Sequence, residues 1–421
     1  MRQNLNVNLK LKAMTILAIL ILFLPSVNAM TFYVSTTGSN KNNGSINFPW
    51  RTIVHAWKNS GGGDTVLVRG GTYTEGEMWL KLSTQGKGNN NQMWTLSSYP
   101  GEKARFTNAK IVVDDDYVRV QNLLFDGNEK AGCSWMYVRS IDGIREHVEI
   151  LNNTFTGKQT KPVLFFIANN GLVQGNIVDI TSGSKSHGMY IMHGNNNIIR
   201  NNYITGMKKY GIHLYDENKY KHFTAITNYI IENNIVIGSQ SKSGIIVGSG
   251  SENGIIPING VVIRNNLIIN NYEKGIYIYR KGDNKNIEIY NNVIYGNREG
   301  GVFISSSSNT KNVTVKNNIF ANNDFNIKAK NVDNLIISHN LYYQPSSVGS
   351  GVKDDMPIFA NPLFVNPNSG DFSLQKGSPA IDSGVDIGLP FNGKAPDLGA
   401  YEYGSSTVDS LRSKMKWKFT K

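Results

Sequence analysis

The stretch NIEIYNNVIYGN at residues 286–297 carries two β-branched residues, then an asparagine pair, then two more β-branched residues, and close variants of it recur along the chain. VVIRNNLIINN stands at 261–271, VTVKNNIFANN at 313–323 and YIIENNIVIGS at 229–239. Taking the second residue of each pair as the reference gives Leu123, Asn153, Asn176, Asn202, Asn234, Asn266, Asn292, Asn318 and Asn340, spaced 22 to 32 residues apart. Three residues before each lies Val120, Ile150, Val173, Ile199, Ile231, Ile263, Ile289, Val315 or Ile337. Two residues after each lies a second apolar column running from Phe125 to Tyr342. Each unit therefore reads as a short strand, a corner and a second strand, with side chains alternating in and out.

A period in the twenties, with short strands and no helical pattern, is the signature of a solenoid, where one coil buries its apolar face only against the next. The Ile/Val columns are the expected stacked core. Asparagine suits the corner because it tolerates the left-handed backbone conformation and its amide both donates and accepts. Stacked asparagines then hydrogen-bond along the axis as a ladder. A third strand class lies between these units and opens on glycine: GMYIMHG at 188–194, GIHLYDE at 211–217, GIIVGSG at 244–250, GIYIYRKG at 275–282 and GVFISSS at 301–307. Three strands per coil predict an all-β parallel β-helix.

This pattern resembles the right-handed β-helix proteins of the pectate-lyase-like superfamily, over roughly residues 94–343, and the chain looks like their secreted polysaccharide lyases. The segment from Tyr33 to Glu75 resembles their amino-terminal region, where Ile53, Ala56 and Trp57 make one apolar face of a short capping helix. GSPAIDSGVDIGLPFNGKAPDLGAYEYG at 377–404 resembles the segment that closes such proteins, and its Gly/Pro density predicts a loop-rich cap. The expected organisation is a signal peptide at 1–29, a cap and first strands at 30–93, the β-helix at 94–345, a carboxy-terminal cap at 346–404 and a basic tail at 405–421.

The ends and the charge bear on location. Arg2, Lys10 and Lys12 precede the apolar run at 13–24 and the small-residue site VNA ending at Ala29, which reads as a secretory signal. A run of twelve residues is too short for a span of about twenty. The chain carries a net charge of +12, which falls to +9 without that segment. The predicted setting is secreted or cell envelope, as a monomer. Because no Lys/Arg block is interleaved with stacking aromatics, the expected partner is an acidic polysaccharide, with no nucleic acid and no membrane span. One cysteine, Cys133, excludes an intramolecular disulfide and reads as a small buried hydrophobe.

The resemblance places the substrate groove on the outward face of the glycine-initiated strands. Aligned, their first outward column reads Tyr190, His213, Ile246, Tyr277 and Phe303, and the next Met192, Tyr215, Gly248, Tyr279 and Ser305. His193, Asp216 and Arg280 follow at the strand edge. Tyrosine offers a sugar both a flat apolar face and a hydroxyl, and arginine pairs bidentately with a carboxylate. Elimination at a uronate needs a neutralised carboxylate, a base and a proton donor. The candidates are Arg280 or Lys281 for the first, His213 or a lysine for the second, and Tyr215 or Tyr279 for the third. Tyr190, His193, Asp216, Tyr277 and Tyr279 are candidate binding residues.

Calcium stays open as a cofactor. Calcium-dependent relatives cluster acidic residues near the groove, and this face offers Asp216 and Glu217. The densest acidic run, Asp114 to Asp116, is expected in a solvated turn entering the pre-corner strand, away from the groove. No metal ligand set is resolved. Two other readings compete with a lyase. A glycoside hydrolase needs paired carboxylates, which Asp216 and Glu217, pointing to opposite faces of a strand, do not supply. A non-catalytic glycan-binding β-helix needs no catalytic constellation.

Overall fold

A computed structural model describes residues 29–81, 92–127, 135–139, 143–216, 225–249, 257–279 and 283–405. All but the last residue of the expected signal peptide, Cys133 and all but the first residue of the expected basic tail lie outside the described residues. Among the described residues no helix is long and apolar enough to cross a membrane.

The chain is a right-handed parallel β-helix. Among the described residues, strands following the Asn corner form a sheet of 12. Strands preceding it share one sheet, of 21 strands among the described residues, with the glycine-initiated class, continuous where Gly300–Lys316 and Ile327–Ser338 run through both. The expected column is in register, with Ile199 beside Ile231, Ile263, Ile289, Val315 and Ile337 in successive coils. All six are buried in the main core. Parallel stacking begins earlier than residue 94, since Thr31–Val34 pairs with Thr65–Val68, which pairs with Trp94–Ser98.

The Asn pair divides its labour. The first member takes the left-handed backbone, with φ of 53° at Asn152, 54° at Asn233 and 54° at Asn265, and Gly175 and His339 fill the same place. The second member is fully buried and forms the ladder. Asn234 Oδ1 accepts from the Asn202 backbone N–H at 3.1 Å and from its Nδ2 at 2.9 Å, while Asn234 Nδ2 donates to Asn266 Oδ1 at 3.0 Å and to the Ile199 carbonyl at 2.8 Å. This polarity leaves the last amide, on Asn340, needing an acceptor. Asp354 supplies it, taking Asn340 Nδ2–H at 2.8 Å and the Tyr342 hydroxyl at 2.7 Å. A shorter ladder, Asn271 to Asn297 to Asn323, fixes the turns that lead into the glycine-initiated strands.

The helix Ile53–Asn59 buries Ile53, Ala56 and Trp57 as its apolar spacing requires, and Thr52 caps it by accepting the His55 N–H. Trp57 packs edge-on against Trp94 at 4.7 Å, which seats the helix on the core. The carboxy-terminal segment is loop-rich, but it does more than close one end. Phe364, Phe372, Leu374, Ala380 and Leu398 pack along the outer side of the 12-stranded sheet, against Ile235, Leu267, Val293, Ile319 and Leu341.

Candidate functional site

Strand alternation builds the candidate groove. In the glycine-initiated stack Ile212, Leu214, Ile245, Val247, Ile276 and Ile278 point into the core and are fully buried. The residues between them therefore face out, and Tyr190, His213, Ile246, Tyr277 and Phe303 stand in one register, as the sequence alignment predicts. The column also continues toward the amino terminus through Phe165, Tyr137, Val112 and Trp79. Sequence reading missed these coils because their strands, such as Glu77–Lys81 and Lys110–Asp114, lack the opening glycine. Their signal was the same alternation of apolar residues. Tyr137 stacks on Phe165 at 4.4 Å and Phe165 on Tyr190 at 5.5 Å, so the rings form a ribbon along the axis.

Facing out does not mean open. His213 is only 5% exposed. Its ring lies 4.7 Å from each of His187, Tyr210 and Tyr215, stacked on all three, and 4.4 Å from Tyr190, edge-on. Burial, and then the neighbouring His187, hold its pKa well below the ordinary imidazole value. His213 is therefore neutral at physiological pH, and its Nδ1 is buried without a hydrogen-bond partner among the described residues. Tyr190 is buried as well. Burial raises the Tyr210 pKa above the ordinary tyrosine value.

Tyr215, Tyr277 and Tyr279 are half-buried and line the open part of the stack. Tyr215 and Tyr279 belong to coils two apart, yet their rings approach to 5.8 Å. Gly248 stands between them in register with Tyr215, and a Cβ there would lie 2.5 Å from Tyr279 Cβ. The glycine thus gives Tyr279 its place. Tyr277 stacks on Phe303 at 5.4 Å and meets Tyr279 edge-on at 5.4 Å.

Other candidates fall elsewhere. His193, expected at the strand edge, is fully buried. The backbone turns at His193 and Gly194, both with positive φ, which takes the residue out of the alternation. Burial pushes its pKa down to about 4. Asp216 ends the strand Ile212–Asp216 with its backbone paired to Ser249. Arg280, Lys281 and Glu217 lie outside the described residues.

The acidic run is not a solvated turn away from the groove. Asp114 closes Lys110–Asp114, a strand of the groove stack, and both Asp114 and Asp115 are buried. Asp114 Oδ1 takes Arg145 Nη2 at 2.9 Å and Nε at 3.1 Å. Asp115 accepts the Asp116 backbone N–H, and Asp116 accepts that of Glu146. Carboxylates committed in this way do not fit calcium, which takes six to eight oxygen ligands. Among the described residues no three His, Cys, Asp or Glu side chains converge to hold a metal ion.

With this architecture in view, comparison with known proteins defines the class. The family described as right handed beta helix region matches residues 106–258 and 255–342, and the chain belongs to it. A second description, Pel9A-like right handed beta helix region, matches residues 32–174. The crystal structure of pectate lyase Pel9A is similar with a TM-score of 0.65 and 17% identity, over 90% of this chain and 98% of that one. A mannuronic acid specific polysaccharide family 6 lyase from human gut microbiota gives a TM-score of 0.50 at 15% identity, over 78% of each chain. At these identities the likeness is one of fold. The uncharacterized protein YwoF of Bacillus subtilis (strain 168) is 28% identical over 144 residues, which span 30% of this chain and 29% of that protein.

Proposed function

We propose that the chain is a polysaccharide lyase that cleaves an acidic, uronate-containing glycan by β-elimination on the outward face of the glycine-initiated stack. The observation that carries this reading is the axial column Tyr190, His213, Tyr277 and Phe303 beside the Tyr215–Tyr279 pair, on a fold shared with pectate and mannuronate lyases. In the reaction a uronate gives up the proton on the carbon next to its carboxylate, the electron pair left behind forms a carbon–carbon double bond, and the glycosidic oxygen leaves with a proton.

The roles follow from access. His213 is covered by four rings and is a poor base toward a substrate it cannot touch. Proton transfer falls to Tyr215 and Tyr279, which approach each other in the open part of the groove, and His213 positions the Tyr215 ring from behind. Arg280, which directly follows Tyr279, is assigned to the uronate carboxylate, with Lys281 beside it. Tyr277 supplies a face for a sugar ring. The sequence basis for export, a basic segment followed by a short apolar run, agrees with an extracellular polymer as substrate.

Incubation of the protein with pectate, alginate and glycosaminoglycans, each with and without calcium, tests the reading through the absorbance of the unsaturated product. Absorbance rising on at least one polymer is the expected result. Reducing ends without unsaturation would mean hydrolysis, and binding with unchanged polymer length would mean a non-catalytic glycan binder.

A further inference from the structure

Toward the amino terminus the aromatic column meets charge. Lys81 and Asp114 are register partners, and Arg139 stands in the next coil, its backbone N–H bonded to the Val113 carbonyl. All three occupy the second outward position of the groove stack. The Asp114 carboxylate is already matched by Arg145. Lys110 is likewise matched by Glu77, at 3.0 Å. Lys81 and Arg139 both feel the Asp114 charge, yet among the described residues neither comes within ion-pair distance of a carboxylate and the buried Nε of Arg139 has no hydrogen-bond partner, so one carboxylate facing three cations leaves positive charge in excess. The Arg139 guanidinium lies 5.3 Å from the Tyr137 ring and 5.8 Å from that of Trp79. Both rings are half-buried, and Lys81 is exposed.

We propose that Lys81 and Arg139, framed by Trp79 and Tyr137, form a distal subsite that binds a carboxylate of the acidic oligosaccharide. The subsite rests on the reading of this face as the glycan groove, and it adds how far the groove reaches and where acid groups are recognised. Charge, flat rings and continuity all point this way. A planar guanidinium held over the Tyr137 ring presents its outward nitrogens to a carboxylate. Because Phe165 and the cations take the faces of Tyr137, that ring meets the sugar with its outer edge. The ribbon Tyr137, Phe165, Tyr190 and His213 joins the subsite to Tyr215 without a break in register. From Tyr137 to Tyr277 there are five coil steps. At about 4.8 Å each they span about 24 Å, the length of about five sugar rings. An oligosaccharide of about six units lying along the axis thus reaches from Tyr279 to Arg139, and Lys81, two coil steps beyond, adds its charge at that end.

The test uses titration calorimetry on the full chain with hexagalacturonate and hexamannuronate, and with each hexamer after reduction of its carboxylates to alcohols. The parent is expected to prefer one acidic hexamer over its reduced form by tenfold or more, with affinity falling as salt rises. In Lys81→Gln/Arg139→Gln that preference should drop at least severalfold and the salt dependence should flatten, with Lys81→Gln alone intermediate. Tyr277→Ala should weaken acidic and reduced hexamers alike and keep the preference. If the double variant keeps the parent's preference while Tyr277→Ala loses affinity, the distal subsite is wrong and the groove stands. If the parent binds no hexamer, the groove reading fails and the subsite with it.

Discussion

Replacing Asn234 by leucine breaks the buried ladder at its middle, and the cost follows from which donors lose their acceptors. Asn234 Oδ1 serves the Asn202 backbone N–H and the Asn202 side-chain amide at once. Leucine fills the space but accepts neither, so two buried donors are orphaned at about 1–3 kcal/mol each, or about 2–6 kcal/mol together. The Asn234 backbone N–H keeps its bond to Asn266 Oδ1, and that part of the ladder survives. Asn153→Leu is the control. Asn153 Oδ1 is the acceptor for the Leu123 backbone N–H, and Leu123 brings no side-chain amide, so one donor is orphaned at about 1–3 kcal/mol. Urea unfolding followed by circular dichroism should place the Asn234 variant below the Asn153 variant by about the cost of one donor. Hydrogen exchange should localise the loosening to the coils at Asn202 and Asn234, since a solenoid transmits stability mainly to neighbours. Equal losses for the two variants, or an Asn234→Leu protein as stable as the parent, would refute the directional ladder.

Three further outcomes are expected. Ile263→Asp puts a carboxylate into a dry column between Ile231 and Ile289 and should cost at least about 3 kcal/mol, read as a large fall in the urea midpoint. His193, with a pKa near 4 when folded, should make the protein acid-sensitive. The unfolded chain takes up that proton below about pH 6.5, so the contribution is intact above this value and declines by about 3 kcal/mol as the pH falls to 4. Denaturation of the parent and His193→Asn at pH 7 and pH 4.5 should show a smaller acid loss in the variant. Gly248→Ala should displace Tyr279, whose Cβ would be 2.5 Å from the new methyl, and lower turnover more than stability, as kinetics and melting run side by side would reveal.

The solenoid was legible because each coil repeats at a fixed offset from its corner, so the columns ending at Ile337 and Tyr342 can be aligned by counting. The outward column from Tyr190 to Phe303 was legible for the same reason. Alternation tells which way a side chain faces, though not what lies over it. His187 and Tyr210 come from the turns leading into two adjacent coils, and together with Tyr190 and Tyr215 they cover His213, which no count along one strand reveals. Asp114 was misread because its strand lacks the glycine that marks the later coils, and its partner Arg145 stands 31 residues away in sequence. The two members of the Asn pair were read as one corner residue. Gly175 and His339 at the first position hint at the separation, for both stand where φ is positive, while the second position holds asparagine from Asn153 to Asn340.

Release of unsaturated product by the parent and by Tyr215→Phe, on whichever uronate polymer the parent cleaves, tests both the reaction and its place. Loss of the Tyr215 hydroxyl should lower turnover by about 10²-fold or more, the usual contribution of a positioned acid or base, with affinity for the acidic hexamer nearly unchanged. No unsaturated product from the parent on any uronate polymer, or equal product from the variant, would contradict the account.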